Sequence, residues 1–359
     1  MSVVISHQSG IEFFRNLRAQ FLPRPNSMHD WLAAPERGIR LLHSGGIDLL
    51  TGQRMPSGPG STPLLSAAEC ERVVQQGVMV SEHEAAALRR GISALAETTS
   101  TLHLLVGSRE RRHRRKRVAC HLSSCELWDG ALWKISDGVY VCSPELLFIQ
   151  MARTLARPLL VRLGMELSGG YSIQPRRECG FSNAYAVTTP ALLERHIAQA
   201  GSVRGAGAAS IAVRRVLANA ASPAESNGFI VFCFPRKEGG YELPLPTLNG
   251  KVDIGMLDGR KHERYCDMLF EELGIALEYL GADFHANWPA VQNDAARQGE
   301  LAMRDIRVIP ITKEHVASIA RLDSIAESIE RAGALRRRPP TDAFRQKQLE
   351  LHSMIYPWA

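Results

Sequence analysis

Toward the end of the chain Val316, Ile319, Ala320, Leu322, Ile325 and Ile329 return every three or four positions, the interval that lays one apolar stripe along a helix. A helix is also predicted from Ser143, a serine N-cap followed by Pro144 at the first helical position. Its apolar residues at 147, 148, 151, 152 and 155 trace a core stripe. Thr189-Pro190 opens another, through Gln199, and Ser81 with Glu84 forms a capping-box pattern within helical spacing from Ser66 to Ala96. Shorter apolar runs read as strands: Thr101 to Val106, Val118 to His121, and Leu132 to Val141 as a hairpin turned by Asp137-Gly138.

Between these lie polar and glycine-rich stretches. A leading element containing Trp31 is followed by Thr51 to Thr62, with Gly58-Pro59-Gly60, which reads as a loop or linker. Residues 168–183 read as a loop rich in Gly and Arg, and Gly201 to Ser210 leads into a helix over Ile211–Asn219. From Ser222 the order is helix, strands, helix, strand, helix. Val291 to Arg304 is the middle helix and Asp305–Ile311 the last strand, where Pro310 argues for an edge position. There is no internal repeat and no heptad run. With 359 residues, two or three domains are expected. The pattern divides into 1–100, mostly helical; 101–220, a smaller α/β region with a basic loop; 221–332, a mixed sheet flanked by helices; and 333–359, a basic tail. The fold class is mixed α/β.

Within 221–332 the acids are spaced suggestively: Glu225, Asp267, Glu278, then Asp294 and Arg297. Asp267 and Glu278 flank Glu271-Glu272-Leu273-Gly274, a turn-like stretch between the apolar runs Tyr265–Phe270 and Ile275–Leu280. In a hairpin centred on Glu272-Leu273, Asp267 stands opposite Glu278, with Cβ atoms roughly 4.5–5.5 Å apart. Like charges so placed destabilise a sheet unless something compensates, and a divalent cation would. The plain alternative is two solvent-facing acids. Asp294 and Arg297, three apart on one helix face, read as a surface ion pair.

Charge adds one more feature. The net charge is +6, and Arg109, Arg111, Arg112, Arg114, Arg115, Lys116 and Arg117 form a run with one acid, Glu110; Arg336-Arg337-Arg338 is a smaller cluster. The longer run suits phosphate contacts to a nucleic acid, which supply affinity rather than sequence specificity; a solvated basic loop is the bland alternative. Seven scattered cysteines, an N-terminus without a signal-peptide pattern and an apolar stretch Pro144–Leu167 broken by Arg153, Arg157 and Arg162 predict a cytoplasmic protein with free thiols and no membrane span. Cys120, His121, Cys125 and Cys142 offer soft ligands, but no second paired motif follows, so buried thiols are the better account than zinc.

Residues from about Ala221 to Ala332 resemble the endonuclease-like domains related to the very-short-patch-repair endonuclease, within the PD-(D/E)xK nuclease superfamily. The matching pieces are Ser222-Pro223-Ala224-Glu225-Ser226, Asp267, Ala276-Leu277-Glu278-Tyr279, Asp294-Ala295-Ala296-Arg297 and Arg307-Val308-Ile309-Pro310-Ile311-Thr312. Upstream, Thr101–Ala152 resembles the middle part of abortive-infection antitoxin-like regulators, through an apolar strand, the Arg-rich loop, a Val-x-x-His strand and Val141-Cys142-Ser143-Pro144. The whole chain looks like uncharacterised actinobacterial members of this architecture, although residues 1–100 carry no winged-helix signature.

The resemblance implies a restriction-endonuclease-like fold and hydrolysis of DNA phosphodiesters. Asp267 and Glu278 would hold Mg²⁺ (or Mn²⁺), and Glu225 would assist. It also implies a lysine or acid two residues after the second carboxylate. Here that position is Leu280, which neither binds metal nor activates water. Asp283, Arg297 and Lys313 are the nearby substitutes. A non-catalytic nucleic-acid-binding regulator of a defence or toxin–antitoxin system, and a protein-interaction scaffold, stay open as alternatives.

Overall fold

The computed structural model describes residues 2–20, 37, 39–40, 64–77, 80–92, 101–112, 114–115, 117–123, 126–201, 203–257, 259–280, 296–336 and 339–357. The chain forms two compact units, Met1–Ala218 and Asn219–Ala359. Both combine helices with mixed sheets. The N-terminal unit is the larger, where a smaller domain ahead of the nuclease-like region is the expectation from sequence.

In the first unit the strands are β1 (Val3–Ile5), β2 (Leu102–Val106), β3 (Arg114–Arg115), β4 (Val118–Leu122), β5 (Leu132–Ser136) and β6 (Val139–Cys142), in the order β3-β4-β2-β1-β6-β5. Val-Val-Ile of β1 lies antiparallel to β2 and parallel to β6, with Val3 opposite Val139 and Ile5 opposite both Leu104 and Val141. The strand near the start of residues 1–100 therefore completes the sheet of the following region. The hairpin turned at Asp137-Gly138 is present as β5–β6.

Helices α1 (His7–Gln20), α2 (Ala67–Gln75), α3 (Glu82–Ile92), α4 (Pro144–Met151), α5 (Arg157–Leu167), α6 (Pro190–Gln199) and α7 (Ala206–Val213) complete this unit. The Ser81–Glu84 box caps α3: the Ser81 N–H donates to Glu84 Oε2 at 2.8 Å and the Glu84 N–H to Ser81 Oγ at 3.2 Å. Ser143 caps α4 as expected, yet α4 is buried on every side rather than along one stripe, because α1, α5, α6 and α7 all pack on it. Residues 168–183 contain a small hairpin, β7 (Tyr171–Ile173) with β8 (Phe181–Asn183), hidden in sequence by its glycines and arginines. The helix expected at Ile211–Asn219 lies earlier, at α7. Its alanines are the strongest helix formers, and Gly205 at its N-cap takes φ 108, a left-handed value that glycine tolerates. Arg18 is 1% exposed and donates to three backbone carbonyls, of Glu166, Gly169 and Tyr185, at 2.8–2.9 Å.

The second unit opens with α8 (Pro223–Cys233) and the meander β9 (Thr247–Leu257), β10 (Arg260–Phe270) and β11 (Ile275–Tyr279). A helical stretch at 296–302, α9, precedes β12 (Arg307–Ile311). The sheet order is β12-β11-β10-β9; the first three strands in sequence pair antiparallel, and β12 joins β11 in parallel at the edge, where Pro310 loses no ladder bond. Then come α10 (Lys313–Val316), α11 (Ile319–Ala332) and α12 (Asp342–Ile355). Leu322, Ile325, Ala326 and Ile329 are the buried stripe of α11. The expected basic tail is mostly α12, tied down where Arg345 and Gln348 meet Asp323 and Tyr241. No helix among the described residues is long and apolar enough to cross a membrane.

Candidate functional site

The β10–β11 register runs Phe270↔Ile275, Leu269↔Ala276, Met268↔Leu277, which is the pairing expected from the turn at 271–274. Gly274 makes that turn possible at φ 60. One step further along lie Asp267 and Glu278. There a side chain takes over from the ladder: the Tyr279 N–H donates to Asp267 Oδ2 at 2.7 Å.

Glu225 reaches the same region from the first turn of α8. Ser222 is the N-cap and Pro223 occupies the first position, so Glu225 sits where a glutamate folds back over the helix start. Its Oε2 accepts from the Ala221 N–H at 2.8 Å and its Oε1 from the Ser222 hydroxyl at 2.8 Å. Asn249 on β9 adds a third donor, Nδ2 to Oε2 at 2.7 Å, and also donates to the Asn219 carbonyl. Replacing Ser222 with Ala removes the cap and one donor to Glu225. The expected cost is about 1 kcal/mol, read from urea unfolding of the full chain.

Glu225 and Glu278 are buried, Asp267 is partly buried beside them, and its charge is felt by both. Burial pushes the pKa of each upward, and the Asp267 charge pushes Glu225 and Glu278 further in the same direction. Arg297, on α9, opposes this: its Nη2 lies 2.9 Å from both oxygens of Glu278 and 2.5 Å from the Tyr265 carbonyl. Asp294, the expected surface partner of Arg297, and Asp283 lie outside the described residues. Leu280 ends the strand by donating its N–H to the Ile311 carbonyl at 2.9 Å, and Lys313 is exposed at the start of α10.

Sequence alone gives Asn249 no site role, and it names Arg297 only as a substitute near Leu280, not as a partner of Glu278. Asn249 adopts φ 47, and the Asn249-Gly250 dipeptide was the available signal for a local backbone irregularity. Arg297 was visible, but its partner lies on another element.

The donor set suits a hard divalent cation in kind, being oxygen throughout. Asn249 Oδ1 is moreover buried without a hydrogen-bond partner, an acceptor left for a cation or its water. In the arrangement observed, however, no three His, Cys, Asp or Glu side chains among the described residues close onto one point to hold a metal ion. Glu225 is engaged in capping and Glu278 in its ion pair.

The basic run belongs to the first unit. Arg109, Arg111, Arg112 and Arg117 are exposed around the turn between β2 and β4, while Arg114 and Arg115 form the edge strand β3. Arg111 donates to the Gly77 carbonyl, and Lys116 lies outside the described residues. Cys120 and Cys142 are buried and form no disulfide, and Cys125 is not among the described residues. His121 instead joins a histidine cluster: its Nε2 is 2.8 Å from His103 Nδ1, and its ring stacks on that of His7 with centroids 3.6 Å apart. No family model matches the chain, and neither a curated protein nor a solved structure matches it.

Proposed function

We propose that the C-terminal unit is a metal-dependent phosphodiesterase acting on DNA. Asp267 and Glu278 would hold the cation, with Glu225 in support. The observation that carries this reading is the burial of three like-charged carboxyls at one end of a sheet, supplied by α8, β10 and β11. The charges of this group bring folding no gain, because the Asp267 carboxylate raises the cost of ionising both glutamates. Sites that bind a cation are where this arrangement is worth its cost.

Each residue then has a task. The Tyr279 N–H fixes one oxygen of Asp267 and thereby the direction of the other. Asn249 and the start of α8 immobilise Glu225 beside it. When bound, Mg²⁺ or Mn²⁺ supplies Lewis-acid polarisation of a phosphate oxygen and activation of water. Leu280 provides no general base, so activation of the water would fall to the cation. Exposed arginines of the basic turn supply a sequence-independent phosphate surface. The protein would act in the cytoplasm, in keeping with its free thiols.

The test is cleavage of plasmid and single-stranded DNA with Mg²⁺ or Mn²⁺, with Asp267→Ala and Glu278→Ala alongside. Cleavage by the wild type that disappears in both variants is the expected result. Folded wild-type protein that leaves both substrates intact would transfer the proposal to the second reading, which Leu280 and the Arg297–Glu278 pair favour: a non-catalytic nucleic-acid-binding regulator. Binding that weakens steeply with salt would then mark phosphate contacts and set aside a pure protein scaffold.

A further inference from the structure

We propose that Arg297 is the protein's own counter-cation at the Glu278 carboxylate, and that a divalent ion enters only by displacing it. This rests on the hydrolase reading of the same cluster. A single nitrogen, Nη2, approaches both oxygens of Glu278 and the Tyr265 carbonyl. An arginine more often offers a carboxylate two nitrogens in a fork. One positive centre shared among three oxygens is instead the contact pattern of a small cation.

Exclusivity follows from the atoms. Both oxygens of Glu278 face Arg297 Nη2, so a metal ion chelated by that pair of oxygens and the guanidinium compete for the same side of the carboxylate. That competition also accounts for the failure of the carboxylates to close onto one point. The Arg297 side chain is 32% exposed while that of Glu278 is 9% exposed. The guanidinium thus lies on the solvent side of the pair, and a rotamer change can withdraw it without opening the core. Once withdrawn, its fork is free beside the cluster, where the chemistry it fits is a pair of phosphate oxygens. Cation and substrate would then enter by exchange: the ion takes Glu278, and the arginine takes the phosphate.

The experiment is calorimetric titration of Mn²⁺ into the full chain without nucleic acid, comparing wild type, Arg297→Gln, Arg297→Lys and Glu278→Gln. The expected result is binding about tenfold tighter in Arg297→Gln than in wild type, and lost in Glu278→Gln. Arg297→Lys, with one compact ammonium in place of the fork, should fall between them, and it carries the comparison if circular dichroism shows Arg297→Gln to be unfolded. Equal or weaker binding in the Arg297 variants, with wild-type binding intact, would overturn the inference and leave the hydrolase reading standing. No Mn²⁺ binding by any of the four proteins would remove that reading as well.

Discussion

Asp267→Asn should make the C-terminal unit more stable while abolishing its chemistry. Asparagine keeps the shape of aspartate and retains an oxygen to accept the Tyr279 N–H. What it removes is the charge that raises the pKa of both Glu225 and Glu278. Relief of that repulsion stabilises the folded unit wherever Glu225 and Glu278 are ionised. It should appear as a higher melting temperature by calorimetry in EDTA. In the cleavage assay the same variant should lose on the order of 10³-fold, because a neutral amide is a poor ligand for a hard cation. Opposite signs in the two readouts mark a residue kept for chemistry at the expense of folding. A lower melting temperature would instead give Asp267 a structural role and weaken the case for a cation site.

Acid should destabilise the N-terminal unit through its histidine cluster. Burial, then the neighbouring His121, His103 and Arg153, lower the pKa of His7 to about 3, and burial with His103, Arg153 and Arg112 lowers that of His121 to about 4. None of these facing groups is acidic, so nothing favours an imidazolium there. Below about pH 6.5 the unfolded chain takes up protons that the folded unit refuses, and stability falls with pH throughout the window between 6.5 and the lowered values. At pH 5 His7 alone accounts for about 2 kcal/mol, with a smaller, partly solvent-screened addition from His121. His7→Phe, which keeps a stacking ring on His121, should flatten the dependence between pH 7 and 5 in urea titrations. An unchanged slope would show the cluster to be protonated in the folded state. The raised carboxyls of the C-terminal unit act in the other direction: their contribution is greatest at acid pH and is lost as pH rises through their elevated values. In calorimetric scans, the two units should therefore shift in opposite senses between pH 7 and 5 as far as these groups govern them.

What could be read from sequence was whatever a local rule decides. The β10–β11 register next to Asp267 and Glu278 followed from one turn length, and the caps at Ser81, Ser143 and Thr189 from side-chain oxygens three residues from the N–H groups that donate to them. The edge position of β12 followed from Pro310 alone. Failures came where distant elements decide. The encasement of α4 on all sides depends on four helices, three of them later in the sequence, and no stripe encodes that. The contact of Arg297 with Glu278 joins α9 to β11, and no spacing within either element encodes it. No local rule makes Asn249 a site residue; only the juxtaposition of β9 with α8 makes it a donor to Glu225.

The central place of β1 bears on how the chain can be synthesised. Val3–Ile5 leaves the ribosome ahead of both neighbours, Leu102–Val106 and Val139–Cys142. At 5–20 residues per second, that strand waits on the order of ten seconds for β6. Until β2 emerges the Val-Val-Ile segment has both edges unpaired, and until β6 emerges it still has one, the condition in which strands join the wrong partner. The sheet of the first unit can close only after translation has passed Cys142, so nascent chains shorter than this should bind holding chaperones and resist folding, however intact their own helices.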